Sequence, residues 1–253
     1  MFRPRIIPVL LLKNLGLVKT IQFKNPRYIG DPINAVKLFN DMKADELVFL
    51  DIMAHAEGRP ISADFVKAVG DEARMPFAAG GGISTISQIE QILKAGAERV
   101  VLNSAAAEKK GFVQEAAKAF GSSTIAVSID VKKKFLGKQQ VYIKGGKLAT
   151  GLDPVSYAKQ MESEGAGELF VTSIEMEGTM QGYDFELIKN ISHAVTIPVI
   201  ANGGAGNFDH FNKAVNECYA SAVAAGSRFV YHGPRNAVLI NYPNEQEIKS
   251  IFG

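Results

Sequence analysis

DPINAVKLFNDMKADELVFLDI, at residues 31–52, returns 122 positions later as DPVSYAKQMESEGAGELFVTSI, at residues 153–174. Identical residues in register include the pairs Asp31 and Asp153, Pro32 and Pro154, Glu46 and Glu168, Leu47 and Leu169, and Ile52 and Ile174. The same offset carries Gly81-Gly82 onto Gly203-Gly204. A repeat of nearly half the chain predicts two fused half-barrels forming one (βα)8 barrel, rather than a solenoid of short units.

The composition bounds the class of protein. Of the 253 residues, 47% are hydrophobic, so we expect one domain spanning residues 1–253. The 28 basic and 26 acidic residues leave a net charge of +2, which gives no reason to expect nucleic acid or a membrane surface as a partner. Apolar runs are too short to span a bilayer, the N-terminus lacks a signal-peptide pattern, and Cys218 is the single cysteine. These features predict a soluble, cytoplasmic protein.

Short apolar runs alternate with amphipathic stretches, as in βα units around a parallel sheet. The eight runs start near Arg5, Glu46, Pro76, Arg99, Thr124, Glu168, Ile197 and Ser221. Predicted helices cover residues 32–42, 62–72, 86–94, 112–120, 154–164, 185–194 and 208–217. Two long excursions follow strands 1 and 5, at residues 13–30 and 132–151, and the second contains Gly145-Gly146, a hairpin-turn signal. Both belong to the carboxyl-terminal face, where such barrels build active sites.

Glycine-rich segments follow four of the predicted strands in two symmetric sets. Gly81-Gly82 is followed one strand later by Asn103-Ser104, and half a barrel away Gly203-Gly204 is followed by Gly226-Ser227. Glycine lets backbone N–H groups approach a phosphate closely, and a following helix N-terminus attracts anions. The simpler interpretation is tight βα turns. The symmetric pairing favours two phosphate cradles, and therefore a small substrate with a phosphate at each end.

The motifs that follow occur in a recognisable order. They are RIIPVLLLK, GDPINAVKLFND, DELVFLDI, AAGGGI, VVLNSAA, AVSIDVK, ELFVTSIEMEGTMQGYD and IPVIANGGAG, and together they cover nearly the whole chain. The chain resembles the HisF family, the cyclase subunits of imidazole glycerol phosphate synthase. The resemblance implies a (βα)8 barrel, a glutaminase subunit docked at the barrel bottom, and ammonia passing through the barrel. It also implies a doubly phosphorylated ribulosyl substrate, converted to imidazole glycerol phosphate and an aminoimidazole ribotide.

One of the two acid/base aspartates that the resemblance implies is missing. Asp130, in VSIDVK, matches the second, but Leu11 stands where the family has the first. The half-barrel repeat gives the same alignment, since pairing Lys13 with Lys132 pairs Leu11 with Asp130. Leucine cannot transfer a proton. The resemblance implies a catalytic role for Lys19 in the first excursion and phosphate binding by Thr172 and Gly178. Glu177 stands where the family has an aspartate after strand 6.

Four charged residues open predicted strands and point toward the barrel bottom: Arg5, Glu46, Arg99 and Glu168. By residue type alone these are ordinary charged strand ends. The resemblance implies a ring that gates ammonia entry, with arginine at 99 where lysine is usual. Arginine keeps the charge and adds a two-pronged donor.

Three functions are consistent with this pattern. The first is a synthase subunit that takes ammonia from a HisH-like glutaminase and serves a sugar amidotransferase in surface polysaccharide synthesis, an interpretation that the resemblance to some HisF-like paralogues with leucine at this position implies. The second is a working cyclase of histidine biosynthesis, and the third is a non-catalytic scaffold that activates its glutaminase. Retained cradles argue against the scaffold, and Leu11 argues against efficient cyclisation. No metal or other cofactor is expected, because the four histidines, His55, His193, His210 and His232, lack metal-ligand spacing.

Overall fold

Eight parallel strands form a closed barrel in the computed structural model, which describes residues 3–134, 137–233 and 235–253. The strands are β1 (Arg5–Lys13), β2 (Leu47–Asp51), β3 (Phe77–Gly80), β4 (Arg99–Leu102), β5 (Ile125–Lys133), β6 (Glu168–Ser173), β7 (Val199–Asn202) and β8 (Ala222–Ala225). Each pairs in parallel with its neighbours in chain order, and β8 pairs with β1 to close the ring. The predicted (βα)8 barrel is confirmed.

Helices lie on the outside of the barrel; seven connect successive strands, and the eighth follows β8. They are α1 (Pro32–Asp41), α2 (Ala63–Glu72), α3 (Ile86–Lys94), α4 (Phe112–Phe120), α5 (Pro154–Ser163), α6 (Phe185–Ser192), α7 (Phe208–Asn216) and α8 (Glu245–Phe252). Seven agree with the predicted stretches to within two residues at each end. The sequence analysis missed α8, although Asn244 and Glu247 form a capping box at its start. None of the helices in the described ranges is long and apolar enough to cross a membrane.

The two halves of the barrel repeat in local detail. Asp31 caps α1 by accepting a hydrogen bond from Asn34 N at 2.8 Å, and Asp153 caps α5 by accepting one from Ser156 N at 2.9 Å. A proline opens each helix, where its missing N–H costs nothing. The strand registers also correspond, because Leu11 lies opposite Leu50 on β2 as Asp130 lies opposite Thr172 on β6. Leu11 and Asp130 thus occupy corresponding register positions on β1 and β5.

Both excursions fold as antiparallel ribbons at the carboxyl ends of the strands. In the first, Gly16–Ile21 pairs with Lys24–Gly30 and with the end of β1. In the second, Gln139–Ile143 pairs with Leu148–Ala149 across the predicted turn at residues 144–147. The same ribbon pairs with β5 and prolongs that strand to Lys133. Lys132 and Lys133 therefore belong to a strand end rather than to the loop.

The apolar core has two parts. The larger part fills the space between the strands and the surrounding helices, and Cys218 is buried there. The smaller part fills the barrel interior and includes four alanines, with Leu11 and Leu50 packed against its upper layer. Its buried members are Ile7, Val9, Val48, Ala78, Val101, Ala126, Phe170, Ile200, Ala222 and Ala224. Small and branched side chains, together with the ring of Phe170, thus separate the bottom of the barrel from its mouth.

Candidate functional site

A cavity of about 540 Å³ lies at the carboxyl ends of the strands. Both excursions contribute to its wall, and so do the glycine-rich loops after β3 and β7. The lining includes Leu11, Lys19, Asp130 and all ten residues predicted to bind phosphate, among them Gly178 in the loop after β6. The barrel therefore gathers the predicted site residues of its upper face around one space.

Asp130 is the central acidic group of this cavity. It is 8% exposed, and it accepts hydrogen bonds from Ser128 Oγ at 3.1 Å and Asn103 Nδ2 at 3.2 Å. Burial raises the pKa of Asp130 to about 7, and the hydrogen bonds from Ser128, Thr172 and Asn103 only partly oppose that rise. A carboxyl group with a pKa near neutrality can both release and accept a proton at physiological pH. The geometry therefore suits acid/base chemistry at this one position.

Lys19 enters the cavity from the first excursion. Its Nζ donates to the backbone oxygen of Val9 at 2.7 Å, and burial lowers the pKa of Lys19 to about 8, opposed by the charge of Glu177. A Cβ on Gly226 would lie only 2.0 Å from this Nζ. The absence of a side chain at Gly226 is thus needed for Lys19 to occupy this position.

Glu177, in the loop after β6, holds the first excursion over the cavity. Its carboxylate accepts hydrogen bonds from Thr20 Oγ1 and Phe23 N, both at 3.0 Å, and its backbone oxygen accepts one from Gln22 N at 3.0 Å. Burial raises the pKa of Glu177, and these donors together with Lys19 oppose the rise. No sequence pattern indicates this contact, because the partners lie more than 150 positions apart in the chain.

Leu11 occupies an apolar part of the cavity wall. It lies opposite Leu50 on β2, and both side chains pack against the apolar interior of the barrel. On the equivalent strands of the other half, the corresponding residues are Asp130 and Thr172, and Asn202 Nδ2 donates to Thr172 Oγ1 at 3.0 Å. The mouth of the barrel is therefore polar on one side and apolar on the other.

The other carboxylates that line the cavity have partners already. Asp51 forms an ion pair with Arg59 at 2.7 Å and accepts hydrogen bonds from Met53 N and Ala54 N. Glu108 forms an ion pair with Lys144 at 2.7 Å. Together with the clamped Glu177, these contacts leave Asp130 as the cavity carboxylate best placed to transfer a proton, among the residues that the structure describes.

The glycines of both predicted cradles are required by the backbone. Gly82 has φ +64°, and a Cβ there would lie 1.9 Å from Arg59 O. Gly204 has φ +111°, and a Cβ there would lie 2.1 Å from Gly182 O. Any side chain would force these loops apart. Substituting Gly82 or Gly204 would disturb the loop conformation as well as any phosphate bound there, so the two effects could not be separated. Ser104 and Ser227 are therefore better positions for testing phosphate binding.

The remaining predicted phosphate residues differ in their surroundings. Asn103 and Ser104 start the short helix Ser104–Glu108, and Gly226 and Ser227 start the short helix Ser227–Val230. Thr172 lies deeper, within the Asp130 network, and is 3% exposed. Gly178 lies against the first excursion, where a Cβ would be 2.3 Å from Thr20 O.

At the opposite end of the barrel, the four predicted charged residues form a closed ring. Arg5 forms ion pairs with Glu46 and, at 2.7 Å, with Glu168. Arg99 forms ion pairs with Glu46 at 2.7 Å and with Glu168 at 3.7 Å. Burial raises the pKa of Glu46 despite its two arginine partners. Since each carboxylate bridges two guanidinium groups, the ring spans the barrel and lies below the apolar interior.

The fold and the placement of the cavity define a (βα)8-barrel protein with its site at the carboxyl ends of the strands. Among the described residues, no group of three or more His, Cys, Asp or Glu side chains is arranged to hold a metal ion. The histidine biosynthesis protein family matches residues 5–234, and the chain belongs to that family.

Curated relatives match along the full length of the chain. A protein of Leptospira borgpetersenii, provisionally named imidazole glycerol phosphate synthase subunit HisF, is 44% identical over 253 residues, the whole of both chains. A Pseudomonas aeruginosa protein, provisionally named subunit hisF2 of the same synthase, is 42% identical over 248 residues, 98% of this chain and 99% of its own. A Vibrio vulnificus protein, provisionally named subunit hisF3, is 42% identical over 250 residues, 98% and 96% of the two chains. The chain is thus HisF-like along its whole length.

Proposed function

We propose that this chain is the synthase subunit of a glutamine amidotransferase complex whose ammonia serves the amidination of a sugar in surface polysaccharide synthesis. The observation that carries the proposal is Leu11, an apolar residue at the position equivalent to Asp130. Loss of a proton-transfer group typically lowers a rate by about a hundredfold to ten-thousandfold. Cyclisation with one of its two acid/base groups replaced is therefore a poor candidate for the main activity.

The lower part of the barrel supports a role in ammonia transfer. The ring of Arg5, Glu46, Arg99 and Glu168 presents paired charges at the bottom, and the barrel interior above it is apolar. An apolar path suits neutral ammonia and disfavours ammonium and other hydrated ions, which lose their solvation there. A HisH-like glutaminase that docks below the ring would supply this ammonia, and the complex would be a heterodimer.

A working cyclase of histidine biosynthesis is the second candidate, and Asp130 favours it. This carboxyl group has a pKa of about 7, and Lys19 reaches the same cavity with a pKa of about 8. The two glycine-rich cradles would hold the phosphates of the ribulosyl substrate. In this case water or Lys19 would replace the proton-transfer group lost at Leu11.

Two measurements separate these candidates. The first supplies the purified chain with the doubly phosphorylated ribulosyl substrate and ammonium salt, and records formation of imidazole glycerol phosphate. We expect little or no turnover, and turnover at the usual rate of HisF enzymes would refute the first candidate.

The second measurement mixes the chain with the glutaminase and sugar amidotransferase encoded beside it. Glutamine-dependent formation of the amidino sugar supports the proposal, whereas stimulation of the glutaminase without product formation would indicate a scaffold.

A further inference from the structure

The strands β1 and β2 pair incompletely at the bottom of the barrel. Their pairing begins at Val9 and Val48, whereas the equivalent pairing of β5 with β6 begins two residues earlier, at Ala126 and Glu168. Pro8 accounts for the difference, because it has no N–H to donate across this edge of β1. The first residues of β1 therefore need other partners on the side of β2.

Two side chains, those of Asp45 and Tyr242, supply these partners. Ile6 N donates to the carboxylate of Asp45 at 2.9 Å, and the hydroxyl of Tyr242 donates to Ile6 O at 2.9 Å. Asp45 N donates to the same hydroxyl oxygen at 3.1 Å. Arg3 donates two hydrogen bonds to the Asp45 carboxylate, at 2.6 and 2.7 Å, and so fixes its orientation. Asp45 and Tyr242 thus join the start of β1 to the start of β2.

The other half of the barrel makes this connection without a side chain. Gly167 N, at the position equivalent to Asp45, donates directly at 2.9 Å to the backbone oxygen of Ile125, which is equivalent to Ile6. In the first half the Tyr242 hydroxyl is inserted between the corresponding N–H and carbonyl oxygen, and it accepts from one while donating to the other. A hydroxyl group between them implies that β1 and β2 start further apart than β5 and β6 do.

Tyr242 comes from the C-terminal segment, outside residues 5–234 that match the family. Its ring packs against those of Phe39 and Phe229, with centroids 6.5 and 5.6 Å away. Burial raises the pKa of Tyr242, so the hydroxyl keeps its proton and remains a donor. Because the ring has packing of its own, phenylalanine at this position would remove the hydroxyl and keep the aromatic contacts.

These hydrogen bonds lie directly beside one ion pair of the charged ring. Arg5 precedes Ile6 and Glu46 follows Asp45 in the chain, and the side chains of Arg5 and Glu46 form an ion pair with each other. Glu46 is 1% exposed, and a buried carboxylate is costly without its partner. A change in the separation of the two strands would therefore act on this pair first.

We propose that Tyr242 and Asp45 are positioning residues of the charged ring, which set the separation of β1 and β2 that the Arg5–Glu46 pair spans. The C-terminal segment thereby takes part in forming the entrance at the bottom of the barrel. The inference rests on the proposed role of the ring in ammonia transfer, and it deepens that role by naming the side chains that hold the ring together.

A double-mutant cycle on thermal unfolding of the full-length protein tests the positioning without a partner or a substrate. Glu46→Gln is introduced into the unmodified protein and into Tyr242→Phe. The change in melting temperature caused by Glu46→Gln should be smaller by about 2 °C or more in Tyr242→Phe, because the ion pair is already weakened there. Tyr183→Phe is the matched control, since the Tyr183 hydroxyl also donates to a backbone oxygen, that of Ala224, at 2.9 Å. Equal changes in all three backgrounds would overturn the inference.

A second measurement tests whether the position of the ring matters for ammonia transfer. In the complex with the glutaminase, Tyr242→Phe should lower the ratio of glutamine-dependent to ammonium-dependent product formation about threefold to tenfold, as expected for the loss of a hydroxyl that makes two hydrogen bonds. Asp45→Ala should lower the ratio similarly, and Tyr183→Phe should leave it unchanged.

The outcomes distinguish this inference from the function on which it rests. An unchanged ratio in Tyr242→Phe, in a complex where Glu46→Ala lowers it, would overturn the inference and leave the conducting role of the ring intact. An unchanged ratio in Glu46→Ala as well would overturn that conducting role. If the unmodified complex forms no glutamine-dependent product, the proposed function is wrong, and the melting-temperature cycle alone decides whether Tyr242 positions the ring.

Discussion

Replacing Asp130 by asparagine is expected to stabilise the protein at high pH and not at low pH. The buried carboxyl group has its pKa raised from 3.8 to about 7. Between these values the folded protein retains a proton that the unfolded chain has released, so the free energy of unfolding falls as the pH rises. The penalty is complete above about pH 7, where the ionised carboxylate is buried, and it is absent below about pH 4.

The magnitude follows from the size of the pKa change. One pKa unit corresponds to about 1.4 kcal/mol, so the rise from 3.8 to about 7 is worth roughly 4 kcal/mol. Asparagine removes the charge but offers one acceptor to the two donors, Ser128 Oγ and Asn103 Nδ2, which costs about 1 kcal/mol. The net gain at pH 8 is therefore roughly 3 kcal/mol, or about 6–12 °C in melting temperature for a chain of this size.

Thermal unfolding of the unmodified protein and Asp130→Asn at pH 5 and pH 8 measures this effect. At pH 5 only about 1.6 kcal/mol of the penalty is present, which the lost hydrogen bond largely offsets, so the variant should melt within about 1–2 °C of the unmodified protein, and at pH 8 it should melt several degrees higher. Asp71→Asn, a change at an exposed position of α2, is the control for loss of one negative charge. If the variant is no more stable than the unmodified protein at pH 8, then burial of the ionised Asp130 carboxylate does not destabilise the folded state.

Three further predictions concern the wall, the ring and the first excursion. Leu11→Asp should raise cyclase turnover with ammonium salt by about tenfold or more, since it returns a second proton-transfer group; no gain, in a variant that still binds the substrate, would contradict this. Glu46→Ala leaves two arginines without a shared counter-charge, so glutamine-dependent product formation in the glutaminase complex should fall several-fold more than ammonium-dependent formation, and equal losses would remove support for conduction. Glu177→Ala removes the acceptor of Thr20 Oγ1 and Phe23 N, so trypsin should cleave the first excursion several-fold faster than in the control Glu175→Ala, and equal cleavage rates would show that Glu177 is not a clamp.

The fold was predictable because its signals are local and repeated. Aspartate followed by proline marks the start of α1 and of α5, and buried runs of four to nine residues mark the strands. The predicted helix ends differ by one or two residues where a capping residue was counted in the helix, as Ser62 was for α2. The ribbon at Lys24–Gly30 was not predicted because its residues are polar and mostly exposed, which leaves no alternation to recognise.

The contacts that organise the site were less predictable. The resemblance singled out Asp130 and Lys19, and it assigned a ring to the four charged residues that open predicted strands, which residue type alone would leave as ordinary strand ends. The clamp formed by Glu177 was not predicted, because it depends on how the first excursion folds back over the loop after β6. Nor did the glycine pattern distinguish a ligand cradle from a turn, and the close approach of Arg59 O to Gly82 shows that the turn alone already requires glycine.

The two ends of the barrel impose different demands on its residues. Passing a neutral molecule through the interior requires a paired ring and apolar walls, and this part of the chain retains Arg5, Glu46 and the alanine-rich interior. The acid/base pair that the resemblance implies needs two titratable groups across the barrel mouth. Here Asp130 lines one side of the cavity and Leu11 lines the other. Leucine at position 11 therefore leaves this side of the cavity without a titratable group, and its side chain is compatible with the apolar interior that it packs against. A subunit that mainly delivers ammonia tolerates leucine at this position, whereas efficient cyclisation would require another group, such as Lys19 or water, to transfer the proton.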